Sequence, residues 1–551
     1  MFRGPCRRVA SGALMVSVLV LPAWMTSATA APPVSNNDKT LELSLPGPFN
    51  GCTILNPGAT STTTALLDLV RPSAFLTNPA GFVNGAGGPI ASAELTSLSP
   101  EVVRYSITPN EVWSNGASFS SRDLVSWWQR TRLLQSVQSD GYRAIKTMQQ
   151  SKDGLTVTAT FADPYADWNL LFRDVEAQGT TTGCSLRQLI ARPTLGPYRI
   201  VSATPSRMVL IMNANWPAFA NRFGRIVVTT SGRIPQSPTA NFISYSSSVS
   251  RAQVQNLSSH PTVLSHIGAL SAIEEISFAP SRPFSSRLAV RQALSLSINR
   301  QNLINRLWGS VTFSPSIAAS AIFSQGQSSY PGSSGTGPSA QTTTTTTRAT
   351  GSATNLADCV SCAVATLVKA GFHRTSFGWA TINGYRLELR VVYGPGALDR
   401  SVVTELTKQW ASIGILVHVV EVTSDMAAAQ TVASSRADIA IFSRPTTTAA
   451  SFAARSWSGL AFPDSYPSGW RTAATNSLYN QASVNFNPVA ASSTWLLMDE
   501  AVMKDFWVRP LFTAPSLLEW SNTLGTVSPS SSVPGLIDQL PTWTSITATG
   551  P

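Results

Sequence analysis

Charge is what this chain has least of. Only 12% of its 551 residues are Asp, Glu, Lys or Arg, about half the usual share, so the ionised side chains that remain are few enough to read one by one. Catalytic signatures are missing too: there is no G-x-S-x-G elbow, no H-E-x-x-H, no phosphate-cradling G-x-x-x-x-G-K-S/T and no C-x-x-C-H. The four histidines, His260, His266, His373 and His418, are dispersed. His260 and His266 are not three or four residues apart, the spacing that puts two imidazoles on one helical face. Of the acid pairs, Glu274 and Glu275 are consecutive and face opposite sides of the chain, which predicts solvation, while Asp163 and Asp167 flank a Pro-Tyr-Ala segment. These absences speak against an enzyme and predict neither metal nor cofactor.

Long apolar runs are confined to the start. Arg3, Arg7 and Arg8, the stretch Leu14 to Trp24 and Ala28-x-Ala30 form the pattern of an export signal over 1–30. No cysteine follows the apolar run to carry a lipid. Removing the three arginines, with no acid in that stretch, takes the formal charge from +11 to +8. Lys and Arg are scattered rather than blocked, and no basic, aromatic-interleaved face is evident, so nucleic acid is not an expected partner.

Cys52, Cys184, Cys359 and Cys362 remain after export, and an even number in an oxidising compartment predicts disulfides. The simplest pairing joins Cys52 to Cys184 and Cys359 to Cys362. A redox or metal role for Cys359-x-x-Cys362 is the alternative, but no second C-x-x-C or paired histidines supply further zinc ligands.

Strands are expected at 39–45, 104–107, 155–161, 198–201, 208–212, 387–392, 414–417 and 438–442, and helices at 123–134, 288–308, 363–370 and 402–412. Asn115-Gly116 signals a tight turn. From 325 to 355 the composition collapses to Gly, Ser and Thr, with six threonines from Thr342 to Thr347, which predicts a disordered insertion or a regulatory, glycan-bearing one. Trp113, Trp127, Trp128, Trp216, Trp410, Trp457 and Trp470 either wall a cleft or fill cores.

Three segments in fixed order carry a resemblance. YSITPNEVWSNGASFSSRDLVSWW (105–128), LGPYRIVSATPSRMVLIMNANW (195–216) and PFSSRLAVRQALSLSINRQNL (283–303) resemble the successive blocks of extracellular solute-binding proteins of the peptide/nickel class, family 5. The Pro164-Tyr165-Ala166-Asp167-Trp168 run resembles the actinobacterial branch, which includes LpqW-like proteins. The resemblance implies an α/β, two-lobed periplasmic-binding-protein-like fold (type II, cluster C) with a small inserted subdomain. Its implied segments are a signal over 1–30, lobe I over 31–50 and 191–277, the inserted subdomain over 51–190, lobe II over 278–504 and a return to lobe I over 505–551.

The function so implied is capture of a peptide-like or other small solute in an interlobe cleft and its delivery to an ABC permease, in an extracytoplasmic space. The alternative is a regulator or scaffold of envelope glycolipid synthesis, with glycolipid enzymes as partners. Implied ligand contacts are Phe49, Asn50, Tyr393, Phe442, Arg444, Thr446, Thr447 and Trp457. Peptide-binding members place an acid for the ligand's ammonium group where Thr446 or Thr447 stands here. That departure, with Arg444 beside it, predicts an anionic or polyol ligand over a free amine.

Overall fold

The computed structural model describes residues 39–545 except 54–59, 80–82, 137–138, 181–184, 217–222, 231–240, 248, 250, 258–261, 310–314, 324–329, 332–357, 446–448, 459–465, 526, 531 and 541–542. The export signal, Cys184, His260, Thr446, Thr447 and nearly all of the Ser/Thr/Gly-rich insertion therefore lie outside the described residues.

One mixed ten-stranded sheet organises the molecule. Its strands, in spatial order, are 416–421, 388–393, 439–445, 263–278, 508–521, 241–246, 40–44, 225–229, 207–212 and 198–203. Two of them are far longer than the rest: Val263–Phe278, with 16 residues, and Val508–Ser521, with 14. At about 3.3 Å per residue each spans roughly 45–55 Å, enough to belong to two lobes at once. The outer part of this antiparallel pair (263–269 with 515–521) continues into the lobe I strands through Asn241–Ser246, and the inner part (272–278) pairs with Ile439–Pro445 of lobe II. Register breaks fall between Ala269 and Ile273 and between Glu274 and Glu275. Pro515 lies opposite Ala269 and Pro510 opposite Glu275. Proline cannot donate to the ladder, and sheets accept it at such irregularities.

Each lobe has its own core. In lobe I, Leu41 and Leu43 alternate out of the first strand into a cluster with Tyr198, Ile226, Ile243 and Trp543. In lobe II the three strands 388–393, 416–421 and 439–445 run parallel, joined through the helices Ala397–Ser412 and Asp425–Ala433. Parallel pairing requires such crossovers, and the helices bury both sheet faces: Leu406 and Trp410 on one side, Ala428, Ala429 and Val432 on the other.

A third core belongs to the four-stranded sheet 90–98, 101–107, 156–161, 145–150. Val103, Tyr105 and Ile107 alternate inward with Val157, Ala159 and Phe161, against Leu124, Trp127 and Trp128 of the helix Ser121–Thr131. Ser120 and Asp123 close a capping box at the start of that helix, which satisfies its first N–H groups. Trp127 donates to the Tyr142 hydroxyl at 3.1 Å, so truncation to Ala would cost about 3–5 kcal/mol. The cleft role open to the tryptophans is thereby reduced: Trp113, Trp127, Trp128, Trp410 and Trp457 are all buried.

Two local expectations need correction. The helix expected over 288–308 is two helices, Leu288–Leu296 and Arg300–Trp308, because Asn299 leaves the helical path and its side chain caps the second, accepting from the Asn302 N–H at 2.7 Å. Asn115-Gly116 does turn, with Gly116 at φ 83°, but it closes a loop bridged at Val112 and Ser118 and does not join two sheet strands. Cys359 and Cys362 are bonded across the first turn of the helix Val360–Lys369. Cys52 is also disulfide-bonded.

Candidate functional site

The carboxyl ends of parallel strands leave a crevice where chain direction and helix termini meet. In lobe II those ends are Tyr393, Glu421 and Pro445, next to the inner part of the long strand Val263–Phe278. Two helices begin there. The first opens at Gly396, and Asp399 reaches back so that its Oδ2 accepts the Gly396 N–H at 3.0 Å. The second is capped by Ser424, whose side chain accepts from the Ala427 N–H at 3.1 Å, and Asp425 is its first residue. Acids in a first turn are favoured by the helix dipole.

Both carboxylates lean over Gly394. A Cβ there would collide with Oδ1 of Asp425 and lie 3.0 Å from Oδ2 of Asp399. Glu274 joins them from the long strand. It is wholly buried and shares a side-chain hydrogen bond with Asp399, while Asp425 accepts from the Ser443 N–H. Burial and the neighbouring carboxylates hold Glu274 well above the usual carboxylate range. Asp399 is also raised, chiefly by burial. Burial and then Asp399 push Asp425 up to about 7.

Glu275, one residue on, is treated differently. Its Oε2 accepts from Nε of Arg444 at 2.9 Å, both side chains being 2% exposed. Arg444 also donates to the Ala321 carbonyl and stands 4.9 Å from the centre of the Trp457 ring. Solvation was expected for Glu274 and Glu275, and the structure overturns it: they lie within a strand that has neighbours on both sides. The expected divergence of the two side chains holds.

Of the ligand contacts implied by the sequence, Tyr393, Phe442, Arg444 and Trp457 come together in lobe II, and Phe49 and Asn50 lie in lobe I. Phe442 is buried and stacked on Tyr466, centroids 5.8 Å apart. Phe49 is buried in the lobe I core, and the Asn50 N–H donates to Thr63 Oγ1 at 2.9 Å. Arg444, from which an anionic ligand was expected, already has its counter-ion inside the fold. Asp399 and Asp425 were missed by the sequence reading. The signal was there: Tyr-Gly-Pro-Gly-Ala-Leu-Asp and Thr-Ser-Asp each put an acid in the first helical turn after a strand.

Across from these residues, the four-stranded unit reaches lobe II. Ser451 donates to Asp167, Arg455 pairs with Asp140, and the Ala166 N–H donates to the Ser483 carbonyl at 3.1 Å. The Pro-Tyr-Ala-Asp-Trp run is thus a contact between units. Among the described residues, no group of three or more His, Cys, Asp or Glu could hold a metal ion, and no helix is long and apolar enough to cross a membrane.

Comparison with known proteins agrees with this architecture. Residues 91–465 match the model for bacterial extracellular solute-binding proteins, family 5 Middle. The oligopeptide-binding protein OppA of Mycobacterium tuberculosis is 29% identical over 188 residues, a match that spans 31% of this chain and 32% of that protein. A probable monoacyl phosphatidylinositol tetramannoside-binding protein, LpqW of the same species, is 29% identical over 197 residues, spanning 31% and 30%. The chain thus matches about a third of the length of these curated relatives. Among solved structures, the periplasmic EDTA-binding protein EppA superposes with a TM-score of 0.78 at 17% identity, covering 92% of this chain and 96% of that one. The Bacillus subtilis oligopeptide-binding protein AppA, in complex with a nonapeptide, gives 0.70 at 12%, covering 92% and 99%. NikZ from Campylobacter jejuni, in complex with Ni(L-His), gives 0.72 at 13%, with the same coverage. The fold is the two-lobed one of periplasmic binding proteins, and the chain belongs to the bacterial extracellular solute-binding proteins of family 5.

Proposed function

We propose that this protein captures a small solute between its two lobes, outside the cytoplasm, and presents it to the membrane permease of an ATP-driven importer. The observation that carries the reading is the pair of long strands, the only two among the described residues that run through both lobes, set beside the carboxyl ends of the lobe II strands. Two connections of this kind let the lobes rotate about the register breaks while the sheet stays paired. Solute contacts made in the closed arrangement would then set its population. No bond is made or broken in such a role.

In this reading the sequence-derived residues divide. Phe49, Phe442, Arg444 and Trp457 are buried and build the walls. Asn50 and Tyr393 keep exposed surface and are free to touch a solute. The test is mass spectrometry of molecules released from gently purified protein. A stoichiometric solute supports the reading, and a persistently empty protein contradicts it. An empty protein would favour the second reading, a regulator of envelope glycolipid synthesis, which has support from the partial similarity to LpqW.

A further inference from the structure

We infer that Cys359 and Cys362 form a redox-active pair that exchanges with small thiols in solution, the attacking thiolate entering at Cys362 and Cys359 departing as the leaving group. The inference is independent of the solute-binding reading.

The disulfide-bonded cysteines lie in opposite surroundings. Cys52 is wholly buried in the lobe I core, out of reach of a dissolved thiol. Cys362 is exposed and Cys359 half-buried, so the bond between them meets solvent. That bond also restrains little. It joins residues three apart in sequence, and the unfolded-state entropy that a disulfide removes falls as its loop shortens. The first helical turn that it crosses is held without it: the Cys359 N–H donates to the Leu296 carbonyl at 2.7 Å, and the Cys359 carbonyl accepts the Ala363 N–H at 3.0 Å. An accessible bond with a small structural role can open while the protein stays folded.

The two sulfurs are not equivalent. Cys359 is the N-cap of the ten-residue helix Val360–Lys369, and its Sγ accepts the Cys362 N–H at 3.2 Å. Unpaired N–H groups and the helix dipole favour negative charge at that position, which stabilises a thiolate there and makes Cys359 the better leaving group. The surrounding charges act in the same direction. Asp358, next in the chain, has its carboxylate shared by Arg509 at 2.6 Å and Arg300 at 3.0 Å, which leaves positive charge in excess. Helix Leu288–Leu296 and strand Phe372–Thr375, which pack on this helix, add Arg291, His373 and Arg374 and no acid. In the exchange a thiolate RS⁻ attacks the exposed Cys362 Sγ. The Sγ–Sγ bond breaks, its electron pair leaves on Cys359 Sγ, and a mixed disulfide forms at Cys362. A second RS⁻ attacks the R sulfur of that mixed disulfide and frees Cys362. Two RSH thus become RSSR and the protein disulfide takes up their two electrons. Their protons pass to the cysteines, or to solvent where Cys359 stays ionised.

The test places the oxidised full chain at pH 7 in about 10 mM reduced glutathione. Samples are quenched over time with N-ethylmaleimide and mapped by peptide mass spectrometry without further reduction. Cys359 and Cys362 should become free to alkylation at least about tenfold faster than Cys52. A glutathione adduct should pass through Cys362, and near-UV circular dichroism should stay native throughout. Release of Cys52 at the same rate, or of no cysteine before the protein unfolds, overturns the inference, as does an adduct confined to Cys359. Two variants test the inequality of the sulfurs. Cys362→Ser keeps the N-cap sulfur, and its Cys359 should react with iodoacetamide at pH 6 at least about tenfold faster than Cys362 does in Cys359→Ser. Equal rates in the two variants would show that the helix start gives Cys359 no advantage, and would overturn the inference as well.

Discussion

Two buried charge clusters in this molecule carry opposite imbalances and resolve them differently. In the first, Glu176 faces three guanidiniums: Arg71 at 3.0 Å, Arg130 at 2.7 Å, and Arg192. The excess cations find backbone acceptors: Arg71 and Arg192 donate to the Cys52 carbonyl at 2.7 and 3.2 Å, and Arg130 donates to the Thr180 carbonyl at 2.9 Å. In the second, three carboxyls gather with no guanidinium bonded to any of them among the described residues: Glu274 and Asp399 share a hydrogen bond, and Asp425 accepts from the Ser443 N–H. A cluster whose hydrogen bonds close on themselves is a structural staple. One built of carboxyls alone closes only by keeping protons, so its contribution to stability depends on pH.

The comparison breaks most visibly at Glu176. Replacing it with Gln leaves three largely buried guanidiniums without a carboxylate and should destabilise the protein by about 3–5 kcal/mol, seen as a lower urea midpoint. A change under about 0.5 kcal/mol, the range of ordinary surface substitutions, would show that the cluster is not a staple. The Arg444–Glu275 pair sharpens the contrast. Arg444→Met strands a buried carboxylate and should cost about 3 kcal/mol, and adding Glu275→Gln should recover much of that loss. Equal thermal shifts for the single and double variants would contradict this. The smallest of these effects is expected at the contact between the four-stranded unit and lobe II. Arg455→Ala removes the pair with Asp140 and the 2.9 Å bond to the Tyr479 hydroxyl. It should cost about 1–2 kcal/mol and speed proteolysis between 137 and 170 before global unfolding.

The same contrast explains what could be read from the sequence. Elements that repeat every second residue or every three to four announced themselves. Val103, Tyr105 and Ile107 alternate as their strand requires, and the lobe II strand–helix–strand units appeared within a few residues of their observed ends. The reach of the long return strand to Ser521 did not appear, because Pro510 and Pro515 interrupt its ladder and leave no regular local pattern to read. The break at Asn299 was hidden because its apolar residues keep nearly one helical phase on either side of it. At the site, the sequence singled out Arg444 but not its partner Glu275, since 169 positions separate them. Glu274, Asp399 and Asp425 come from different elements, and no local spacing signals a contact that only the sheet order creates.

The most direct test of the central claim is the pH dependence of stability in wild type and Asp425→Asn. Asp425 is pushed up to about 7 in the folded protein, from an ordinary value of 3.8. The folded state therefore keeps a proton that the unfolded state gives up, a contribution present below about pH 4 and lost as pH rises toward and through 7. Glu274, Asp399 and Glu275, also raised by burial, act in the same direction. Wild type should therefore lose stability between pH 5 and pH 8 without ligand. Asp425→Asn, which has no proton to lose, should show a shallower decline and be the more stable of the two at pH 8, by on the order of 1 kcal/mol. Parallel profiles, or a variant less stable than wild type at pH 8, would mean that Asp425 ionises in the folded protein at no cost and that the acid cluster does not hold its protons.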